Sequence, residues 1–77
     1  MKFKIEYTDT FAGEANYSWA RRATIEAPAE ISDTALMRRA KKALGLSGVR
    51  GRRETWGETI IFRPYGSYTI LFIMPEY

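Results

Sequence analysis

The sequence predicts an α+β fold: a two-layer sandwich with one helix packed on one face of an antiparallel sheet of four to five strands, in the order β-β-α-β-β-β. Three observations predict it. Apolar and polar residues alternate at the start of the chain, as on a half-buried strand. Residues 33–44 carry an apolar arc at helical spacing, with a capping signal at each end. Glycine- and proline-based turn signals divide the remaining apolar runs. Seventy-seven residues make one domain, 1–77. A domain this small buries only about 60–65% of the surface its unfolded chain exposes. No cysteine is present to supply a disulfide. The core must therefore come from the aliphatic and aromatic residues, within a hydrophobic share of 45%.

The N-terminal strand runs from Lys2 to Thr8, with Phe3, Ile5 and Tyr7 on one side and Lys2, Lys4 and Glu6 on the other. Residues 9–15 read as a connecting loop. A second strand follows from Asn16 to about Ile25, with Tyr17, Trp19, Ala23 and Ile25 on one face. Arg21 shares that parity, which is awkward for a core; it implies a bulge near Ala20-Arg21 or an exposed strand end. Ser32 is a good N-cap, and Asp33 places negative charge in the first helical turn. The helix spans about Asp33 to Leu44. Leu36, Met37, Ala40, Ala43 and Leu44 form its apolar arc, opposite Arg38, Arg39, Lys41 and Lys42. Gly45 and Leu46 predict a Schellman ending. Val49 to Thr55 reads as a heavily charged edge strand. Trp56-Gly57-Glu58 turns the chain into a strand from Thr59 to Arg63. Pro64-Tyr65-Gly66-Ser67 is a tight hairpin signal. The last strand, Tyr68 to Met74, is apolar on both faces, which predicts a central or doubly covered position. Pro75 is expected to end it. The sheet face away from the helix is expected to stay uncovered and to carry surplus aromatics.

Charge is the strongest chemical signal. Seven of the twelve basic residues fall between Arg38 and Arg53 with no acid among them: Arg38, Arg39, Lys41, Lys42, Arg50, Arg52 and Arg53. The net charge is only +3, so the distribution matters more than the total. This block suits the phosphates of a nucleic acid or an acidic patch on a partner protein. It also suits a solvated helix face followed by a charged edge that resists aggregation. The Arg50–Arg53 piece is the harder to explain by solvation, because charge so dense weakens the strand that bears it. Exposed aromatics are the other binding candidates. Phe11, Trp56 and Tyr65 lie next to turns and are the best placed to anchor an interface or stack on a base. Asp9 and Asn16 are expected to hold their connection by bonds to the backbone.

Catalysis is poorly supplied. Without histidine or cysteine there is no imidazole base and no thiol nucleophile. The acids are scattered, with Asp9 and Glu14 around one turn and Glu54 and Glu58 around another. No metal-ligand spacing occurs. The expectation is a protein that is not an enzyme, with no catalytic residues, no metal and no cofactor. No apolar run reaches the roughly 18–20 residues that span a bilayer, and the N-terminus lacks the apolar stretch of a signal peptide. These features predict a cytoplasmic protein without a membrane partner, a monomer or a weak homodimer.

Three stretches carry a resemblance: YTDTFAGEANYSW at 7–19, ALGLSGVRG at 43–51 and RPYGSYTILF at 63–72. Together they resemble small phage- and prophage-encoded proteins of Gram-negative bacteria, a class similar in build to the anti-CRISPR proteins. The resemblance carries no catalytic motif and matches no individual site residues. It implies a single-domain inhibitor that occupies a surface of a bacterial Cas nucleoprotein effector in the host cytoplasm and blocks its use of nucleic acid. The alternative is a small basic DNA- or RNA-binding accessory protein.

Overall fold

Alternation at the N-terminus forms strand β1, Lys2–Phe11, in the computed structural model, which describes residues 1–77. The other elements are β2 (Glu14–Glu26), α1 (Asp33–Leu44), β3 (Gly51–Trp56), β4 (Thr59–Pro64) and β5 (Thr69–Glu76). The five strands make one antiparallel sheet in the order β2-β1-β5-β4-β3. This is the predicted α+β fold, with the element order β-β-α-β-β-β. β5 is the central strand and β3 an edge, as their apolar and charged patterns implied.

One side of the sheet meets the helix. Phe3, Ile5 and Tyr7 of β1, Ile60 and Phe62 of β4, and Leu71 and Ile73 of β5 pack there with Leu36, Met37, Ala40 and Leu44. Burying a leucine or methionine side chain of this kind contributes about 1.5–3 kcal/mol. The helix ends as its sequence dictates. Ser32 Oγ accepts from the Ala35 amide at 3.2 Å. Gly45 adopts φ 73°, its amide donating to Lys42 O, while the Leu46 amide donates to Lys41 O. Those two bonds are the Schellman pair.

Arg21 does lie on the helix side of β2, opposite Tyr7. It is accommodated because its Nη1 donates to Leu44 O at 3.0 Å, placing a cation on the negative end of α1. The irregularity in β2 comes earlier than Ala20-Arg21. The register with β1 jumps from Thr8↔Ala20 to Thr10↔Ala15, so residues 16–19 bulge. Tyr17 takes φ 57° there and turns away from the face of Trp19. Its hydroxyl donates to Glu6 at 2.8 Å, whereas the Trp19 ring packs edge-on against Tyr7 at 5.3 Å.

Other expectations are corrected. Residues 9–15 are not a loop: β1 continues to Phe11, and only Ala12-Gly13 turns, both at positive φ, as a two-residue type I′ hairpin requires. β3 begins at Gly51 rather than Val49. Pro75 lies within β5, paired with Phe3. It is tolerated because β4 pairs with β5 only along Leu71–Ile73, leaving the β4 side open at Pro75. The second sheet face is not bare either. The tip of the β1–β2 hairpin reaches across β5, and Arg63 Nη1 donates to Gly13 O at 2.9 Å. Ile61 and Ile70 are buried beneath it.

Candidate functional site

The basic block divides between surfaces. Arg39 reaches toward β2, its Nη1 donating to Glu26 O at 3.0 Å. Strand alternation separates Arg52 from Arg53. Arg52 lies on the second face and pairs with Glu54. Arg53 shares the helix side with Phe62. Arg50 is exposed in the segment before β3, where its carbonyl accepts from the Tyr65 amide at 2.9 Å.

What remains converges. A groove of about 790 Å³ opens between α1 and β3, lined by Arg38, Lys41 and Lys42 from the helix and Arg53 from the strand, over Met37 and Phe62. Positions 38, 41 and 42 share one helix face because residues three and four apart are neighbours. β3 is held beside them by Gly51: a Cβ there would sit 2.7 Å from Pro64 Cα, so only glycine allows β3 this close to the end of β4.

No carboxylate lines the groove. The protein's three ion pairs lie elsewhere, between Arg22 and Glu6, Arg52 and Glu54, and Arg63 and Glu54. The partners of the groove cations are neutral. Arg53 Nη1 donates to Thr34 Oγ1 at 3.2 Å. Lys41 Nζ donates to Val49 O at 2.8 Å and stands 4.2 Å from the centroid of the Phe62 ring, a cation–π geometry. The groove thus concentrates positive charge with no carboxylate on its walls, the arrangement that attracts an anion.

A second cavity, of about 530 Å³, lies on the other sheet face beneath the hairpin tip. Trp56, Ile61, Ile70 and Phe72 line it with Gly13 and Arg63. Phe11, Trp56 and Tyr65 are 75%, 69% and 70% exposed, as their places next to turns implied. None of them lines the basic groove, and only Trp56 lines the second cavity.

Four acids, Glu6, Asp9, Glu54 and Glu58, are occupied structurally. Asp9 accepts from the Ser18 hydroxyl at 2.6 Å, the Ser18 amide at 3.0 Å and Asn16 Nδ2 at 3.0 Å. These bonds, the Ser18 hydroxyl first, hold its carboxyl well below the usual carboxylate range. Asn16 therefore bonds Asp9 rather than the backbone, and Asp9 ties down the bulge. The Tyr17 hydroxyl, with help from Arg22, lowers the Glu6 carboxyl, and Glu6 in turn raises the Tyr17 phenol. Glu58 accepts from the Tyr77 hydroxyl. Nowhere do three potential metal-ligating side chains gather, and no helix is long and apolar enough to cross a membrane.

No family model, curated protein or solved structure matches the chain. The groove was half visible in the sequence. Its cations stand out, but Thr34, Met37 and Phe62 carry no local signal, because only the nonlocal placement of β3 beside α1 makes them neighbours.

Proposed function

We propose that this protein is a small non-enzymatic binding protein that docks its basic groove on the nucleic-acid component of a nucleoprotein complex. The observation that carries this reading is the convergence of Arg38, Lys41, Lys42 and Arg53 on one concavity with no carboxylate partner. Phosphate contacts made by such residues supply most of the sequence-independent affinity for nucleic acids. The absence of histidine and cysteine from the chain, and the structural occupation of Asp9, Glu54 and Glu58, support binding over catalysis.

The resemblance to phage proteins supports a setting. In it the protein is an anti-CRISPR-type inhibitor in the bacterial cytoplasm, and the complex is a Cas effector with its guide or target strand. The accessory-protein alternative uses the same groove on free nucleic acid. A pull-down with purified Cas effector complexes, combined with an interference assay, tests the setting. The parent protein is expected to associate and inhibit. The Arg38→Glu, Lys42→Glu double variant, with both changes at exposed positions, is expected to lose at least tenfold in affinity. Association and inhibition that survive this charge reversal would remove the groove from the interface. Binding of free nucleic acid without any effector association favours the accessory reading.

A further inference from the structure

The groove cations stand at different depths. Arg38 and Lys42 are exposed on the helix wall, Arg53 approaches from the strand wall, and Lys41 is half-buried over the floor. The Lys41 ammonium has a ring beneath it and a single carbonyl beside it. A charge partly withdrawn from water and lacking an anionic partner interacts more strongly with an entering anion than a rim charge does. Reaching it requires entry into the concavity.

We infer that the groove cradles one single nucleic-acid strand by its backbone phosphates, held from both walls, and reads no base. The inference rests on the proposed docking on nucleic acid and deepens it. Three features support it. First, Arg38 to Lys42 spans about one helical turn, roughly 6 Å. That length suits neighbouring phosphates of one strand, so the helix wall meets about two of them while Arg53 meets the strand from the other side. Second, a duplex presents its phosphates on a convex cylinder. It can touch Arg38 and Lys42 at the rim, but it cannot bring a phosphate to Lys41. Third, base recognition on a single strand needs exposed aromatic faces or polar base-edge partners. The apolar lining here is Met37 and Phe62, both buried, no exposed aromatic residue borders the groove, and of its two hydroxyls Thr34 already accepts from Arg53, leaving only Ser47.

Fluorescence anisotropy with the full chain tests this, using labelled oligo-dT, oligo-dA, a mixed-sequence RNA strand and a DNA duplex. The three single strands are expected to bind within about threefold of one another, and the duplex at least tenfold more weakly. With three or four phosphates neutralised, the log–log salt slope on the DNA strands is expected near −2 to −3, about 0.7 per contact. Lys41→Met keeps the stem over Phe62 and removes the charge. It is expected to lower single-strand affinity severalfold and flatten the slope by about 0.7, with a smaller loss for the duplex, which feels the Lys41 charge only from the rim. Arg38→Gln with Lys42→Gln, both at exposed positions, is expected to fold normally and to weaken both forms. Equal or tighter duplex binding, or a base preference above tenfold, overturns the single-strand inference and leaves the nucleic-acid reading standing. No binding of either form at 50 mM salt overturns both.

Discussion

Asp9 shows how one side chain shapes a region with no regular pairing. Residues 16–19 of β2 have no partners in the ladder to β1, and a bulge must find other bonds for its polar groups. The Asp9 carboxylate supplies them by accepting from Asn16 and twice from Ser18, while Thr8 Oγ1 donates to Trp19 O at 2.7 Å. These are donors to an ionised acceptor, so the bonds favour the charged form. The folded carboxyl releases its proton more readily than the unfolded one. Its stabilisation is therefore complete above the ordinary value near 3.8 and is lost as pH falls toward the lower folded value. Asp9→Asn is expected to lower Tm at pH 7. The gap between variant and parent should narrow as melts are repeated at successively lower pH below about 3.8. A gap that stays constant down that series would show that the charge is not what holds the bulge. The sequence marked Asp9 and Asn16 as turn formers because both types bond locally. It did not show that their partner is a bulge, since the extra residues in β2 become visible only once the strand is aligned with β1.

At the scale of elements, local chemistry fared well wherever an element ends by its own residues. The helix starts at Ser32 and stops at Gly45 because cap and Schellman bonds need nothing from the rest of the chain. The strands were harder to bound. Pro75 reads locally as a terminator, yet it stays within β5 because one flank of that strand is open there. β3 depends on an even less local feature. Gly51 packs against the backbone of Arg63 and Pro64 with no room for a side chain, and the Tyr65 amide reaches Arg50 O. Gly51→Ala is expected to push β3 off β4 at a cost of about 1–3 kcal/mol, typical of overpacking. Urea denaturation would measure the loss, and hydrogen exchange would show faster amides in Arg52–Thr55. Because Arg53 forms the strand wall of the groove, single-strand affinity is expected to fall as well, although the substitution removes no charge. Wild-type exchange in β3 would show that the close approach is not needed.

For the whole molecule, the decisive pairing joins the ends of the chain. β1 lies beside β5 from Lys2↔Glu76 to Asp9↔Thr69, and β5 is the one strand that pairs with both the β1–β2 and the β3–β4 hairpins. Periodicity placed β5 at the centre because it is apolar on both faces. It could not show that β1 is one neighbour, or that the hairpin tip crosses to Arg63 and covers part of the second face. The groove inherits this dependence, since β3 is carried to the helix by β4, and β4 joins the rest of the sheet by pairing with β5. A chain ended at Ser67 keeps both hairpins and the helix sequence but loses Ile70, Leu71 and Ile73, all buried. At about 1.5–3 kcal/mol each, that loss rivals the roughly 5–15 kcal/mol by which small domains are stable. An isolated two-stranded hairpin is marginal in water at best. The shortened chain is therefore expected to show no cooperative thermal transition by circular dichroism, collapsed amide dispersion by NMR and no single-strand binding. A cooperative melt in that chain would mean that one hairpin and α1 form a stable unit without the central strand. The groove would then be separable from the sheet that positions it.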